Sequence, residues 1–307
     1  MKPVVTLTLN PAIDGASEAD RLRPIHKIRT TNERYYPGGG GVNVARVLAE
    51  LGAPALPVYL AGGATGAVLD QLLAGQGFAP RRVEIAGPTR VSHTVYERET
   101  GLEYRFVPDG PEVGPQDMER CLATLEALDF DWLVASGSLP RGLEADAYAP
   151  IVALAAARGA RFVLDTSGPA LPATLAAGPA YLIKPSLGEF RALMGEALED
   201  DDALAVAAAR LRAERGVELV AITLGRDGAL LAWEGGVVRR RAPDLPVQSA
   251  TGAGDSFLGG MIHALAQGRG PVEAFDFAMA AGAAAVLTPG TELCRRGDVE
   301  RLAASPA

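Results

Sequence analysis

The runs ALPVYLAG, WLVASG, RFVLDTSG, YLIKP and LVAITLG are apolar at successive positions, not at every second one. A strand of that kind is covered on both faces, and sheets covered on both faces are parallel sheets flanked by crossover helices. Between the runs lie Ala/Leu-rich stretches with helical spacing: VNVARVLAELG at 42–52, ATGAVLDQLLAGQG at 64–77, and others around 144–158, 169–177 and 186–215. With VVTLTL (4–9) as the opening strand, the alternation predicts an α/β fold, a three-layer α/β/α sandwich around a mainly parallel sheet.

Two segments stand outside this rhythm. Residues 11–36 are polar and have no helical period, and residues 89–107 read as two strands around Glu99-Thr100-Gly101, a hairpin signal. Both are expected to form a small β-element at the edge of the sheet, acting as a lid or an oligomer contact; a pair of surface excursions is the alternative. With no repeat, linker or charge block, residues 1–307 are expected to form one main domain with this appendage.

The net charge of −8 argues against a protein that coats nucleic acid or an anionic membrane. Cys121 and Cys294 are far apart and His26, His93 and His263 are scattered, so neither a metal framework nor a Ser-His-Asp triad is indicated. The apolar run near FAMAAGAAAVL is too short for a membrane span, and VVTLTL too short for a signal segment. These features predict a cytoplasmic protein. Of 29 basic residues only Lys2, Lys27 and Lys184 are lysine, which draws attention to the last two.

Ligands of an open parallel sheet bind where strands pass into helices. Asp14 follows the first strand, Gly38–Gly41 and Asn43 open a helix, and Ser136-Gly137-Ser138, Lys184 and Thr223-Leu224-Gly225 each follow a strand. Gly-rich helix starts present unpaired N–H groups to anions. Neither lysine has Walker flanks, and GGGGVN lacks the third glycine of a dinucleotide fingerprint, which disfavours a P-loop NTPase and an NAD-dependent oxidoreductase. SATGAGDSFLGG at 249–260 places Asp255 behind Gly252-Ala253-Gly254. Asp255 could simply cap the helix. Alternatively, the small residues admit a phosphoryl group to the backbone N–H groups, and Asp255 takes the proton of an attacking hydroxyl.

GGGGVNVARVLAELG (38–52) and SATGAGDSFLGG resemble the two signatures of the ribokinase/PfkB family of carbohydrate kinases, and the similarity runs along nearly the whole chain. The opening TLTLNPAIDGA resembles the phosphosugar-kinase branch. A glycine where 1-phosphofructokinases and tagatose-6-phosphate kinases usually carry lysine, together with AGGATG, SGSLP and GTELC, resembles the minor 6-phosphofructokinases. The resemblance implies a ribokinase-like fold with a small β-sheet lid, and ATP-dependent phosphorylation of the C1 hydroxyl of fructose 6-phosphate. Tagatose-6-phosphate kinase, 1-phosphofructokinase and a non-catalytic sugar-phosphate sensor are the alternatives.

By the same resemblance, Asp255 is the catalytic base and Gly252, Ala253 and Gly254 form the anion hole. Asp14, Gly39 and Asn43 hold sugar hydroxyls. Lys27, Arg90 and Ser138 grip the sugar phosphate, Lys27 across a homodimer interface. Lys184, Thr223 and Gly225 lie on the nucleotide side, Glu189 binds Mg²⁺ through water, and the segments around Ser249 and Thr251 and at 285–292 suit a K⁺-type ion. Two positions depart from the family: Ser186 replaces the usual Asn of Asn-x-x-Glu, and Arg23 replaces an aromatic residue.

Overall fold

The computed structural model describes residues 2–79 and 81–304. In chain order the first strands are β1 (Val4–Thr8), β2 (Ala12–Ala19), β3 (Thr31–Gly38), β4 (Ala55–Ala61) and β5 (Arg81–Glu84). Then come β6 (Arg90–Glu97), β7 (Leu102–Phe106), β8 (Trp132–Ser136) and β9 (Arg161–Asp165). The last are β10 (Leu182–Ile183), β11 (Leu219–Thr223), β12 (Ala229–Trp233) and β13 (Gly236–Arg240). The helices are α1 (Gly40–Glu50), α2 (Gly63–Ala74), α3 (Pro115–Glu126), α4 (Ala149–Ala157) and α5 (Ala170–Ala177). They continue with α6 (Leu187–Met194), α7 (Asp201–Arg215), α8 (Ala253–Ala266), α9 (Pro271–Ala285) and α10 (Arg296–Ala303).

The main sheet has nine strands in the order β13-β12-β11-β10-β9-β8-β1-β4-β5. Pairing from β5 through β11 is parallel, and the β12–β13 hairpin extends one edge antiparallel. Alternate residues of each central strand enter opposite cores, because side chains point to the two faces in turn. Val5, Leu7, Leu133 and Leu164 pack with α3 to α7, while Val4, Val134 and Val163 pack with α1, α8, α9 and α10. The expected three layers are therefore present.

The stretch anticipated as one helical region at 186–215 is two helices. Gly195 takes a left-handed conformation (φ 67°) and ends α6, and Asp200 caps α7 by accepting from the Ala203 N–H. The β-segments form their own sheet, in the order β3-β2-β6-β7, instead of extending the edge of the main one. The hairpin expected at 89–107 is β6–β7, with Gly101 at φ 72° in its turn.

Helix α8 carries the TGAGD segment, and its glycines set its depth. A Cβ at Gly259 would lie 2.5 Å from Val47 Cγ1 of α1, and one at Gly260 would lie 2.6 Å from Ala281 Cβ of α9. Only residues without side chains let the three helices approach this closely, which fixes where the N-terminus of α8 meets the sheet. Among the described residues no helix is long and apolar enough to cross a membrane.

Candidate active site

At β1 the order of strands reverses. β4 and β5 lie on one side and β8 to β11 on the other, so a crevice opens at the carboxyl ends of β1 and β8. The start of α1 closes onto it: a Cβ at Gly40 would sit 2.3 Å from Ser136 Oγ and 2.8 Å from the Gly137 nitrogen. Above the crevice is a cavity of about 350 Å³. Gly39, Asn43, Ser138, Thr251 and Asp255 line it from the main body, and Asp14, Arg90, Ser92, Thr94 and Arg105 from the small sheet.

Asp255 is the third residue of α8, whose N-cap is Gly252 in a left-handed conformation (φ 78°) with no side-chain cap. Its carboxylate does not cap the helix. Its Oδ2 accepts from Asn43 Nδ2 at 2.8 Å instead. Burial raises the Asp255 pKa to about 6, helped by the Asp165 charge and opposed by the Asn43 hydrogen bond and the Lys184 charge. Lys184 Nζ sits 3.1 Å from Asp165 Oδ1, both side chains largely buried. Burial disfavours the Lys184 ammonium, but Asp165, with Asp255 and Glu189 further off, outweighs it and the pKa rises. A Cβ at Gly254 would lie 3.5 Å from Lys184 Nζ, so the lysine stands directly behind the glycine loop. Two acids, one ammonium and the open N–H groups of a helix start thus meet at one point, an arrangement suited to moving a proton beside an anion.

On the small-sheet side of this cavity Arg90 is held by backbone. Its Nη2 donates to the Asn10 carbonyl at 2.8 Å and its Nη1 to the Pro108 carbonyl at 3.0 Å. Arg105 reaches the same space because β7 pairs it with Thr94 of β6. Asn10 Nδ2 donates to Ser138 Oγ at 3.4 Å and to the Asp109 carbonyl at 2.9 Å. Asp14 lines the same cavity, its pKa raised by burial against the opposing charges of Arg46, Arg90 and Arg105. Lys27 does not join them: it is exposed in the connection between β2 and β3 and does not line the cavity of its own chain. Arg23 lies in the same exposed connection.

On the other flank of the glycine loop is a cavity of about 630 Å³ with a largely apolar wall. Thr223, Gly225, Ala253, Gly254, Phe257 and Met279 contribute to it. The loop therefore separates a small polar cavity from a larger apolar one, and Asp255 faces the polar side. Ser186 caps α6: its Oγ donates to Glu189 Oε2 at 2.8 Å, its N–H donates to the same oxygen at 2.8 Å, and the Glu189 N–H returns to Ser186 Oγ at 3.3 Å. Both donors fall on one Glu189 oxygen, and Glu189 lines the polar cavity. Among the described residues no three acids, histidines or cysteines form a metal cage. A single cleft-facing carboxylate fits Mg²⁺, which keeps most of its waters and takes its other ligands from phosphates. Ser249 Oγ donates to Glu103 Oε2 at 3.3 Å and accepts the Thr251 N–H at 3.2 Å.

Asp165 and Arg105 are site residues that sequence reasoning did not single out. Asp165 stands at the end of β9, and the strand-end rule applied to RFVLDTSG would have found it. Arg105 had no such signal, since only the register of the small sheet brings it to the cavity.

The fold and site define a phosphotransferase built on a ribokinase-like sandwich. The model of the pfkB family of carbohydrate kinases matches residues 5–296, and the chain belongs to that family. It is 39% identical over 308 residues to the ATP-dependent 6-phosphofructokinase isozyme 2 of Mycobacterium tuberculosis, covering 99% of this chain and 90% of that protein. It is 37% identical over 266 residues to a 1-phosphofructokinase of Xanthomonas campestris, covering 85% of this chain and 83% of that one. Phosphofructokinase-2 from Escherichia coli, solved in complex with potassium, superposes with a TM-score of 0.95 at 35% identity, covering 99% of each chain.

Proposed function

We propose that this carbohydrate kinase transfers the γ-phosphoryl group of ATP to the C1 hydroxyl of fructose 6-phosphate, giving fructose 1,6-bisphosphate and ADP. The observation that carries this reading is that Asp255 and the glycine loop share one cavity with Arg90 and Arg105 of the small sheet. Two guanidinium groups in the same cavity as the base suit a sugar that already carries a phosphate. Glycine in place of the lysine usual in 1-phosphofructokinases favours fructose 6-phosphate over fructose 1-phosphate and tagatose 6-phosphate.

In this mechanism Arg90, Arg105 and Ser138 hold the sugar phosphate, joined by Lys27 from a second subunit. Asp14, the Gly39 backbone and Asn43 orient the sugar hydroxyls. Asp255, ionised at neutral pH because its pKa is about 6, takes the C1 hydroxyl proton as that oxygen attacks the γ-phosphorus. The bond to ADP breaks, and charge on the transferring phosphoryl oxygens meets the N–H groups of Gly252, Ala253 and Gly254. The adenosine end occupies the apolar cavity beside Thr223 and Gly225, and Lys184 faces the phosphates. Glu189 would hold Mg²⁺ through water, and the ion would neutralise the phosphate charge. Thr291 Oγ1, buried without a hydrogen-bond partner among the described residues, suits a K⁺-type ion near 249–251 and 285–292.

The small sheet then serves as a lid. Its outer face carries Tyr35, Val91, Leu102, Tyr104 and Phe106, all exposed, an apolar patch that fits a homodimer formed lid to lid. ATP and a sugar phosphate in the cytoplasm are the partners, not nucleic acid or membrane. A coupled assay for ADP release with Mg-ATP tests the reading. Fructose 6-phosphate should show kcat/KM at least tenfold above tagatose 6-phosphate, fructose 1-phosphate and free fructose. Background turnover with every sugar would leave a sugar-phosphate sensor in its place.

A further inference from the structure

Asn43 contacts the base, but an amide has two faces, one donating and one accepting. Which face meets Asp255 decides whether the contact supports a base or a protonated acid. Three residues further along α1 stands Arg46, partly buried. Its Nη1 donates to Asn43 Oδ1 at 3.0 Å and to the Pro37 carbonyl, at the end of β3, at 2.9 Å. Its Nε donates to Gln76 Oε1 at 2.9 Å, and its guanidinium lies 5.6 Å from the centre of the Tyr36 ring. The guanidinium is thus anchored from α1, from β3 and from the residues after α2.

We infer that Arg46 is the positioning residue that sets the Asn43 amide with its N–H₂ toward Asp255. A guanidinium donates and never accepts, so the atom of Asn43 that faces it must be the carbonyl oxygen. The amide nitrogen is then turned to Asp255 Oδ2, where it satisfies an ionised carboxylate and leaves the other oxygen for the incoming hydroxyl. Without Arg46 the amide can turn, present its oxygen to Asp255, and favour the protonated acid, which cannot act as a base. Arg46 does not line the polar cavity; its charge also reaches Asp14 and Asp255 through space, a part that survives in an Asn43→Ala background while the part carried by the amide does not. This role rests on the kinase reading of Asp255.

The test is a double-mutant cycle on the full-length protein with fructose 6-phosphate and Mg-ATP, with kcat and KM measured separately. Arg46→Met should lower kcat by about 10–100-fold, the range for losing a hydrogen bond to a charged group, with KM for the sugar phosphate within about threefold. Arg46→Lys, which keeps a donor toward Asn43, should recover most of kcat. In an Asn43→Ala background, Arg46→Met should add less than about threefold. Unchanged kcat in Arg46→Met, or losses that multiply in the double variant, would overturn the inference. If Arg46→Met does not fold, Arg46→Ala takes its place in the cycle, read by the same outcomes, and a folded Arg46→Lys as slow as Asn43→Ala also refutes the role. A wild-type chain that transfers no phosphoryl group would sink the kinase reading itself, an outcome distinct from an active enzyme indifferent to position 46.

Discussion

Replacing Asp255 by Asn should move activity and stability in opposite directions. The side chains have the same shape, so sugar and nucleotide binding should stay near normal while turnover falls by roughly 10²–10⁴-fold, the usual worth of a general base. Stability should rise. The Asp255 pKa in the folded protein, about 6, lies above its ordinary 3.8, with burial the first cause. The stability linked to its proton is complete below pH 3.8 and is lost as pH rises through about 6. At 1.36 kcal/mol per unit, keeping the carboxylate ionised costs about 3 kcal/mol above pH 6. That figure is an upper bound, because one side of Asp255 opens on the cleft. A neutral amide escapes the cost, so Asp255→Asn should melt about 2–6 °C higher at pH 8 and show no gain near pH 3.5. Thermal melts at the two pH values, beside the coupled assay, read both effects. A residue serving only the start of α8 would behave the other way, with turnover kept and the melting temperature lowered, and that result would refute the reasoning.

The same ionisation predicts that wild-type kcat/KM falls about tenfold per unit below pH 6, as a pH–rate profile at saturating Mg-ATP would show. Arg90→Ala should raise KM for fructose 6-phosphate by about tenfold or more and leave the poor rate with free fructose unchanged, measured by the same coupled assay. Ser186→Ala removes the reciprocal cap of α6 and should cost about 1 kcal/mol of stability, with a several-fold higher Mg²⁺ requirement, followed by melts and a Mg²⁺ titration. On the proposed lid-to-lid dimer, Phe106→Asp places a charge on the outer face of the small sheet and should shift the protein toward monomer in sedimentation, with KM for the sugar phosphate raised by the loss of the Lys27 proposed to come from a neighbour.

Much of the site was legible because its residues fall at strand ends in local, glycine-marked loops. Gly39, Asn43, Ser138, Thr223 and Gly225 each follow from where a strand passes into a helix. The rarity of lysine pointed to Lys184, which is buried against Asp165. It pointed equally to Lys27, which the fold leaves exposed.

Continuous apolar runs and the 3.6-residue period are local quantities, and by themselves they determined a parallel sheet with helices on both faces. The short Gly252–Asp255 order likewise determined a helix start with no side-chain cap on its N–H groups. Tertiary structure alone decided the rest. Whether Asp255 capped its helix or faced a cleft depended on Asn43, 212 residues away in the chain. The separate small sheet depended on β2 pairing with β6, and the place of Arg105 on the register of β7. Those outcomes are set by contacts between distant segments, and the burial and charge that tune Asp255 exist only once those segments have met.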